Sequence, residues 1–154
     1  MAREIERKYL ITSDEWTHWQ PLRVKMVKQG YLLNTPEKVV RVRYVEGNGF
    51  ITVKIGTSAL SRLEYEYSVP GDDALEMLDH CDAVLLKTRT VLEYHGWVWE
   101  VDQFHGLNEG LVVAEIELPS EDQVFDVPSW VGREVTEDFR YTNNNLITTK
   151  APQS

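Results

Sequence analysis

Pairs of like-charged residues two positions apart recur along this 154-residue chain, and they are the residues best suited to do chemistry. Glu4 and Glu6 form one such pair, and Arg41 and Arg43 form another. Side chains at positions i and i+2 of a β-strand lie on the same face, so each pair would present two like charges side by side. Carboxylates bind hard divalent cations through oxygen, and arginine neutralises phosphate oxygens with a bidentate fork. Together the two kinds of pair predict a site for a metal ion and a polyphosphate.

Charged faces of this kind occur on seven of the eight strands that the sequence predicts. The acids are Glu4, Glu6, Glu64, Glu66, Glu100, Asp102, Glu115 and Glu117, and the bases are Lys8, Arg41, Arg43, Lys54, Arg62, Lys87 and Arg89. A single pair usually marks the solvated face of an antiparallel sheet. Like charges about 4 Å apart, however, repel by about 1 kcal/mol even in water. Repeated same-sign pairs therefore indicate a bound counter-charge.

The elements that position these residues are mainly strands, because apolar and polar residues alternate with a period of two. The predicted strands cover residues 3–11, 25–33, 38–46, 50–55, 61–69, 84–94, 97–104 and 111–118. Their connections are short and include hairpin turns at Gly47-Asn48-Gly49 and at His95-Gly96, so the sheet should be antiparallel. We expect a mainly β (α+β) fold, in which eight antiparallel strands close into a barrel with room for one small ligand.

Four short helices are expected around the barrel. They cover residues 14–19, 74–80, 121–126 and 137–147. Asp73 with Glu76, and Ser120 with Gln123, have the spacing of a capping box, and Thr136 is placed to cap the C-terminal helix.

The charged faces could point outward around an apolar core, or inward around a charged tunnel. The helices favour the inward arrangement because their apolar side chains need an apolar surface to cover. These side chains are Leu75, Met77, Leu78, Phe125, Val127, Trp130 and Phe139. The apolar outer faces of the strands would supply that surface, which leaves a tunnel of charged side chains inside.

Composition limits the classes of partner. The formal net charge is −9, so the basic footprint of a general nucleic-acid binder is missing. No apolar run approaches the roughly 20 residues that cross a bilayer. The single cysteine, Cys81, and an N-terminus without an apolar signal core predict a cytoplasmic protein. The length fits one domain spanning residues 1–154.

The segment Glu4-Ile5-Glu6-Arg7-Lys8 resembles the ExExK signature of the CYTH superfamily, the triphosphate tunnel metalloenzymes. Further segments resemble the small bacterial members, in order, over essentially the whole chain. They are Gln29-Gly30-Tyr31-Leu32, Arg41-Val42-Arg43, Arg62-Leu63-Glu64-Tyr65-Glu66, Lys87-Thr88-Arg89, Glu100-Val101-Asp102, Glu115-Ile116-Glu117, and Glu134-Val135-Thr136 with Arg140-Tyr141. The resemblance implies an eight-stranded tunnel, metal-dependent hydrolysis of a triphosphate and a C-terminal helix near one mouth.

The resemblance also implies a role for each matching position. A divalent cation, Mg²⁺ or Mn²⁺, would be held by Glu4, Glu6, Glu115 and Glu117, with Glu64, Glu66 and Asp102 as further candidates. Phosphates would be held by Lys8, Arg41, Arg43, Lys54, Arg62, Arg89 and Arg140, although Arg62 is equally well explained by pairing with nearby glutamates.

Two residues are candidates for acting on the attacking water. Lys87 is the first, with phosphate holding as its alternative role. Tyr31 ranks below it, because a phenol with an ordinary pKa of about 10 is a poor base. The chain departs from the family pattern at Thr142, where related small members often carry a basic residue.

The predicted function is hydrolysis of inorganic triphosphate to diphosphate and phosphate, because so short a chain has little left to build a nucleoside or thiamine pocket. Three alternatives stay open: an adenylate cyclase, a thiamine triphosphatase, and a polyphosphate-binding protein without turnover. The expected ligand is a small polyphosphate, and neither nucleic acid nor membrane is expected as a partner. Whether the chain forms a homodimer is left open.

Overall fold

The computed structural model describes residues 3–56 and 58–152, and strands dominate it. The strands are β1 (Arg3–Ile11), β2 (Arg23–Asn34), β3 (Lys38–Val45), β4 (Asn48–Ile55), β5 (Ser61–Val69), β6 (Val84–Tyr94), β7 (Trp97–Phe104), β8 (Val112–Glu117) and β9 (Val131–Glu134). The α-helices are α1 (Gly71–Asp79) and α2 (Asn143–Leu146), and 3₁₀ turns cover Glu15–His18, Gly106–Asn108 and Phe139–Tyr141.

Strands β1 to β8 form a closed antiparallel barrel, as predicted. Their order is β5-β4-β3-β2-β6-β7-β8-β1, and β1 returns to pair with β5. The closing ladder is short and joins Arg3 to Leu63, Glu4 to Arg62 and Ile5 to Ser61. A closed barrel of eight strands encloses a narrow lumen, and that lumen holds the site described below.

The ninth strand, β9, was not predicted. Only the first part of β1 pairs with β5, which leaves the later part of the same edge free. Strand β9 takes that edge, with Glu134 opposite Tyr9 and Val131 opposite Ile11. The strand has only four residues, and one of them is Gly132. So short a segment does not show an alternating pattern of apolar and polar residues.

Two hairpin turns were predicted, and the structure confirms one and shifts the other. His95 and Gly96 connect β6 and β7 with φ of 50° and 83°. The turn between β3 and β4 is Glu46-Gly47, with φ of 48° and 89°, rather than Gly47-Asn48-Gly49. Both turns have two residues with positive φ, the conformation whose twist matches that of the flanking strands.

The helix predictions need more correction. Helix α1 begins at Gly71, three residues earlier than expected, and Asp73 makes no capping hydrogen bond. Residues 15–18 form a 3₁₀ turn, and the segment 121–126 is not helical. The C-terminal helix predicted over 137–147 is divided into a 3₁₀ turn and the four-residue α2, and an extended Thr142 separates the two.

The apolar core lies on the outside of the barrel wall, which confirms the inward arrangement of charge. Buried Ala74 and Leu78 of α1 pack on Val42, and Leu75 and Met77 join this cluster. A larger aromatic cluster covers β1, β7 and β8 from outside. It contains Tyr9, Trp16, Trp99 and Trp130, and Phe125 packs against it. Two of the side chains expected to cover the barrel do not do so, since Val127 and Phe139 are exposed.

No helix in the described part of the chain is both long enough and apolar enough to cross a membrane.

Candidate active site

The barrel lumen contains a cavity of about 170 Å³ whose wall is mainly charged. Among the described residues, seven glutamates and six bases line it. They are Glu4, Glu6, Glu64, Glu66, Glu100, Glu115 and Glu117, and Lys8, Arg41, Arg43, Lys54, Arg62 and Arg89. The remaining lining residues are Tyr31, Val39, Thr142, Asn143 and Asn144. The cavity thus brings together thirteen of the sixteen site residues predicted from sequence, and leaves out Lys87, Asp102 and Arg140.

Strand register explains why these charges meet. Residues directly opposite in an antiparallel pair project from the same face. Lys8 lies opposite Glu115 across β1 and β8. Lys54 lies opposite Glu64, and Thr52 opposite Glu66, across β4 and β5. These strands therefore carry their charged faces to the same lumen.

One group of ion pairs surrounds Glu4, which is buried. The Lys54 ammonium donates to Glu4 Oε1 at 3.1 Å and lies 3.3 Å from Glu64 Oε2. The Arg62 guanidinium lies 3.6 Å from Glu4 Oε1. Arg62 therefore pairs with a glutamate and also lines the cavity, so both roles foreseen for it are compatible with its position.

A second group surrounds Glu115. The Lys8 ammonium lies 3.7 Å from Glu115 Oε1, and Arg89 Nη2 lies 3.6 Å from Glu115 Oε2. Burial alone would raise the pKa of Glu115, but Lys8 and Arg89 outweigh burial and hold that pKa at about 2. Glu115 is therefore an ionised carboxylate at any physiological pH.

Glu6 and Glu117 lack such partners. They lie opposite each other on β1 and β8, and within residues 3–56 and 58–152 neither forms a salt bridge. Burial, followed by the charge of Glu115, raises the pKa of Glu6 to about 7. Burial also raises the pKa of Glu117, and Glu4 and Glu6 add to the effect. Oxygen donors with uncompensated negative charge are what a divalent cation requires.

The donor set therefore fits a divalent cation, although the side chains are not gathered around one. Among the described residues, no three carboxylate, histidine or cysteine side chains already stand in a metal-binding arrangement. Several carboxylates point at bases instead, as Glu4 does at Lys54. The candidate ligand pair is Glu6 and Glu117, with Glu4 and Glu115 next to them on the same two strands.

Lys87 and Asp102 lie behind the cavity wall and are completely buried. Lys87 Nζ donates to Asp102 Oδ2 at 2.7 Å and to Asn143 Oδ1 at 3.3 Å. Arg89 holds the same carboxylate with two hydrogen bonds of 2.8 Å. Burial opposes ionisation of Asp102, but the adjacent Arg89 and Lys87 keep its pKa well below the usual range. Asp102 is thus occupied by bases and has no free oxygen for a metal.

Burial lowers the pKa of Lys87 to about 7, against the opposite influence of Asp102. The third residue outside the cavity, Arg140, is exposed and donates to Asp138 at 2.6 Å. Neither Lys87 nor Arg140 reaches the cavity surface in this structure.

Arg43 differs from the other bases of the cavity. Arg41 lies 3.5 Å from Glu66 and also donates to Thr52 Oγ1 at 3.1 Å. Arg43 forms no salt bridge with any described carboxylate, and its hydrogen-bond partner is the neutral amide of Gln29. Burial, then the charges of Arg41 and Arg89, lowers the pKa of Arg43 to about 9. The lumen thus has an excess of positive charge here, which favours an anion.

Sequence reasoning missed some lining residues. Glu100 was placed on the charged face of β7 with Asp102 but was given no role, although it lines the cavity. Asn143 and Asn144 come from the C-terminal segment, where no strand period reveals them. That segment is fixed at the cavity by paired hydrogen bonds between Asn34 and Asn144, and by Lys8 Nζ donating to the Tyr141 carbonyl. Thr142, noted in the sequence as a departure, lies in the same segment and lines the cavity.

Known proteins match this chain over nearly its full length. Residues 2–149 match a family model described as the CYTH domain. An inorganic triphosphatase of Acetivibrio thermocellus is 45% identical over 149 residues, covering 96% of this chain and 94% of that protein. An inorganic triphosphatase of Nitrosomonas europaea is 38% identical over 151 residues, covering 93% and 95%. The crystal structure of an inorganic triphosphatase superposes with a TM-score of 0.70 at 31% identity and covers 99% of both chains.

Proposed function

Because the chain belongs to the CYTH family, we propose that it hydrolyses inorganic triphosphate to diphosphate and phosphate inside its barrel. The observation that carries the proposal is the closed lumen, whose wall combines seven glutamates with six bases. A polyphosphate that carries a metal ion needs both kinds of side chain at once. Relatives that cover more than nine-tenths of this chain are inorganic triphosphatases, which supports the same reaction.

The bases of the lumen would bind the phosphate oxygens. Arg43 is the strongest candidate, since no carboxylate neutralises it within the described residues. Arg41, Arg89 and Lys54 are already paired with acids, and a polyphosphate would share or displace those contacts. Phosphoryl transfer depends mainly on positioning and on stabilising charge, so a fixed array of bases is the expected machinery.

The metal ion is proposed to be Mg²⁺ or Mn²⁺, held by Glu6 and Glu117 with help from Glu4 and Glu115. When bound, such a cation neutralises phosphate oxygens and polarises the phosphorus–oxygen bond under attack. The support is that Glu6 and Glu117 repel each other and form no salt bridge among the described residues, together with the elevated pKa of Glu6. Asp102 is not included among the ligands, because Arg89 and Lys87 occupy its oxygens.

Lys87 is proposed to position the attacking water indirectly, through Asn143. Its ammonium is 3.3 Å from Asn143 Oδ1, and Asn143 lines the cavity. Lys87 itself is fully buried, so direct phosphate holding, the alternative role, receives less support. Tyr31 does line the cavity and is the second candidate for contact with the water.

The cavity offers little for an organic substituent. Among the described lining residues Val39 is the one aliphatic side chain, and Tyr31 is the one aromatic. A nucleoside or thiazolium pocket would need a larger apolar surface. This favours inorganic triphosphate over ATP or thiamine triphosphate as the substrate. We further propose a cytoplasmic location, which the single, free cysteine supports.

A substrate panel tests the proposal. The purified protein is given tripolyphosphate, ATP or thiamine triphosphate at equal concentration with Mg²⁺ or Mn²⁺, and phosphate and cyclic AMP are both measured. We expect phosphate from tripolyphosphate at a rate well above the other two substrates, and no cyclic AMP. Preferred turnover of ATP or thiamine triphosphate would reassign the substrate, and cyclic AMP formation would reassign the reaction.

A further inference from the structure

Gln29 is a buried amide in the lumen wall to which neither the sequence motif nor the cavity lining gives a role. It lies on β2 directly opposite Arg43 of β3, and its side chain is fully buried. It is not part of the cavity surface, so a ligand in the cavity would not touch it. Any effect on a ligand must pass through the residues that Gln29 contacts.

Those contacts join two cavity residues through one amide group. Gln29 Oε1 accepts from Arg43 Nε at 3.1 Å and from Arg43 Nη2 at 2.9 Å. Gln29 Nε2 donates to the Tyr31 hydroxyl oxygen at 3.0 Å. The amide orientation is fixed by chemistry, because a reversed amide would point its NH₂ at a guanidinium that only donates.

The arrangement leaves the binding groups free for a ligand. A guanidinium has five N–H groups, and Gln29 uses two along one edge. The other edge of Arg43 stays available for the bidentate contact that phosphate favours. The Tyr31 oxygen accepts from Gln29, so its own proton can be donated elsewhere.

A neutral partner also leaves the charge of Arg43 intact. The other arginines of the lumen, Arg41, Arg62 and Arg89, are each within salt-bridge distance of a carboxylate. A carboxylate in place of Gln29 would hold the guanidinium in the same place but would cancel its attraction for an anion. An amide fixes the geometry without this loss.

We propose that Gln29 is a positioning residue, which holds Arg43 and Tyr31 toward a bound polyphosphate and leaves the positive charge of Arg43 uncompensated. This inference rests on one part of the proposed function, the binding of polyphosphate in the cavity. It does not require that the protein hydrolyse the polyphosphate.

The test measures tripolyphosphate affinity by calorimetry in excess chelator, where the metal-dependent reaction proposed above is suppressed. Gln29→Glu keeps the shape and adds a charge, and Gln29→Met removes the hydrogen bonds. A hydrogen bond to a charged group contributes a factor of about ten to a hundred in affinity, so we expect each variant to bind tripolyphosphate more weakly by a factor in that range. Gln29→Glu should bind more weakly than Gln29→Met, because its added negative charge also repels the anion. Gln103→Glu, on the outer face of β7, is the matched control and should bind as the wild type does.

A double-mutant cycle separates positioning from a merely structural role. If Gln29 acts through Arg43, adding Gln29→Met to Arg43→Met should change affinity by less than about threefold. Thermal unfolding is followed in parallel, and if Gln29→Glu does not fold, Gln29→Met and the cycle decide alone. Additive effects, wild-type affinity in either Gln29 variant, or a wild type that does not bind tripolyphosphate would each overturn the inference. Tripolyphosphate binding in chelator, combined with no hydrolysis after Mg²⁺ or Mn²⁺ is restored, would instead overturn only the proposed function.

Discussion

Glu6 and Glu117 lie directly opposite each other on β1 and β8, and both face the lumen of the barrel. Like charges in opposed positions of an antiparallel pair destabilise the sheet. Neither carboxylate forms a salt bridge within the described part of the chain, whereas the neighbouring Glu4 and Glu115 do. The protein therefore keeps a local repulsion that a bound cation would relieve.

Replacing Glu6 by Gln should have opposite effects on stability and on metal binding. Without metal, the change removes the repulsion and should raise the melting temperature by about 2 to 4 °C, which corresponds to about 1 kcal/mol. With metal, the loss of a charged ligand should weaken affinity by about tenfold or more. Calorimetric metal titration and thermal unfolding of metal-free protein measure the two effects.

The matched control for this prediction is Glu76→Gln, on the exposed side of α1. It should change neither quantity. A Glu6→Gln variant that bound metal as tightly as the wild type would remove Glu6 from the ligand set.

Replacing Arg41 or Arg43 by Ala should lower kcat/KM for tripolyphosphate by about a hundredfold or more. Each change removes a guanidinium from the cavity wall. Steady-state phosphate release measures the effect, and Arg133→Ala, on the exposed part of β9, is the control. Near-wild-type efficiency in both cavity variants would mean that phosphate binds elsewhere.

Sequence reasoning predicted the barrel well because period-two alternation and strand register are local consequences of the chain. It failed where tertiary contacts overrode a local signal. Ser120 and Gln123 have capping-box spacing, yet Ser120 donates to Asp122 instead, and Phe125 packs on Trp97 and Trp99. No helix forms there, since an extended segment brings Phe125 onto the aromatic cluster.

The sequence also predicted most of the site residues but not their exact positions. Charged residues on the same strand face identify the side that points to the lumen. They do not show which of these side chains reach the cavity surface and which are buried behind it. Lys87 and Asp102 share the lumen face with Arg89, yet they form a buried pair behind the surface. Arg140 was expected at the phosphates and is instead held by Asp138, two residues away. Ion pairing of this kind is decided by distances that the sequence does not contain.

Lys87→Ala should lower kcat by about a hundredfold and leave KM within about threefold of the wild type. Lys87 does not line the cavity, so its loss should affect the reacting water rather than substrate binding. Lys28→Ala, on the outer face of β2, provides the control. A large rise in KM would support phosphate holding, and unchanged kcat would make Tyr31 the better candidate.

Lys87 should also make stability depend on pH. Burial lowers its pKa from the ordinary 10.5 to about 7 in the folded protein. Between these two values the unfolded chain binds more protons than the folded chain, so the free energy of unfolding should rise with pH. One proton contributes at most about 1.4 kcal/mol per pH unit.

Urea unfolding at pH 7, 8 and 9 isolates this effect by comparing the wild type with Lys87→Met. The wild type should gain about 2 kcal/mol relative to the variant over this range. A constant difference between the two proteins would show that Lys87 stays fully charged in the folded state.

The most direct test of the account is the rate of phosphate release from tripolyphosphate as a divalent cation is restored to chelator-treated protein. We expect no release in excess chelator and, on addition of Mg²⁺ or Mn²⁺, turnover that yields equal amounts of phosphate and diphosphate. Undiminished release in chelator would contradict the metal site at Glu6 and Glu117, and no release with either cation would contradict the triphosphatase itself.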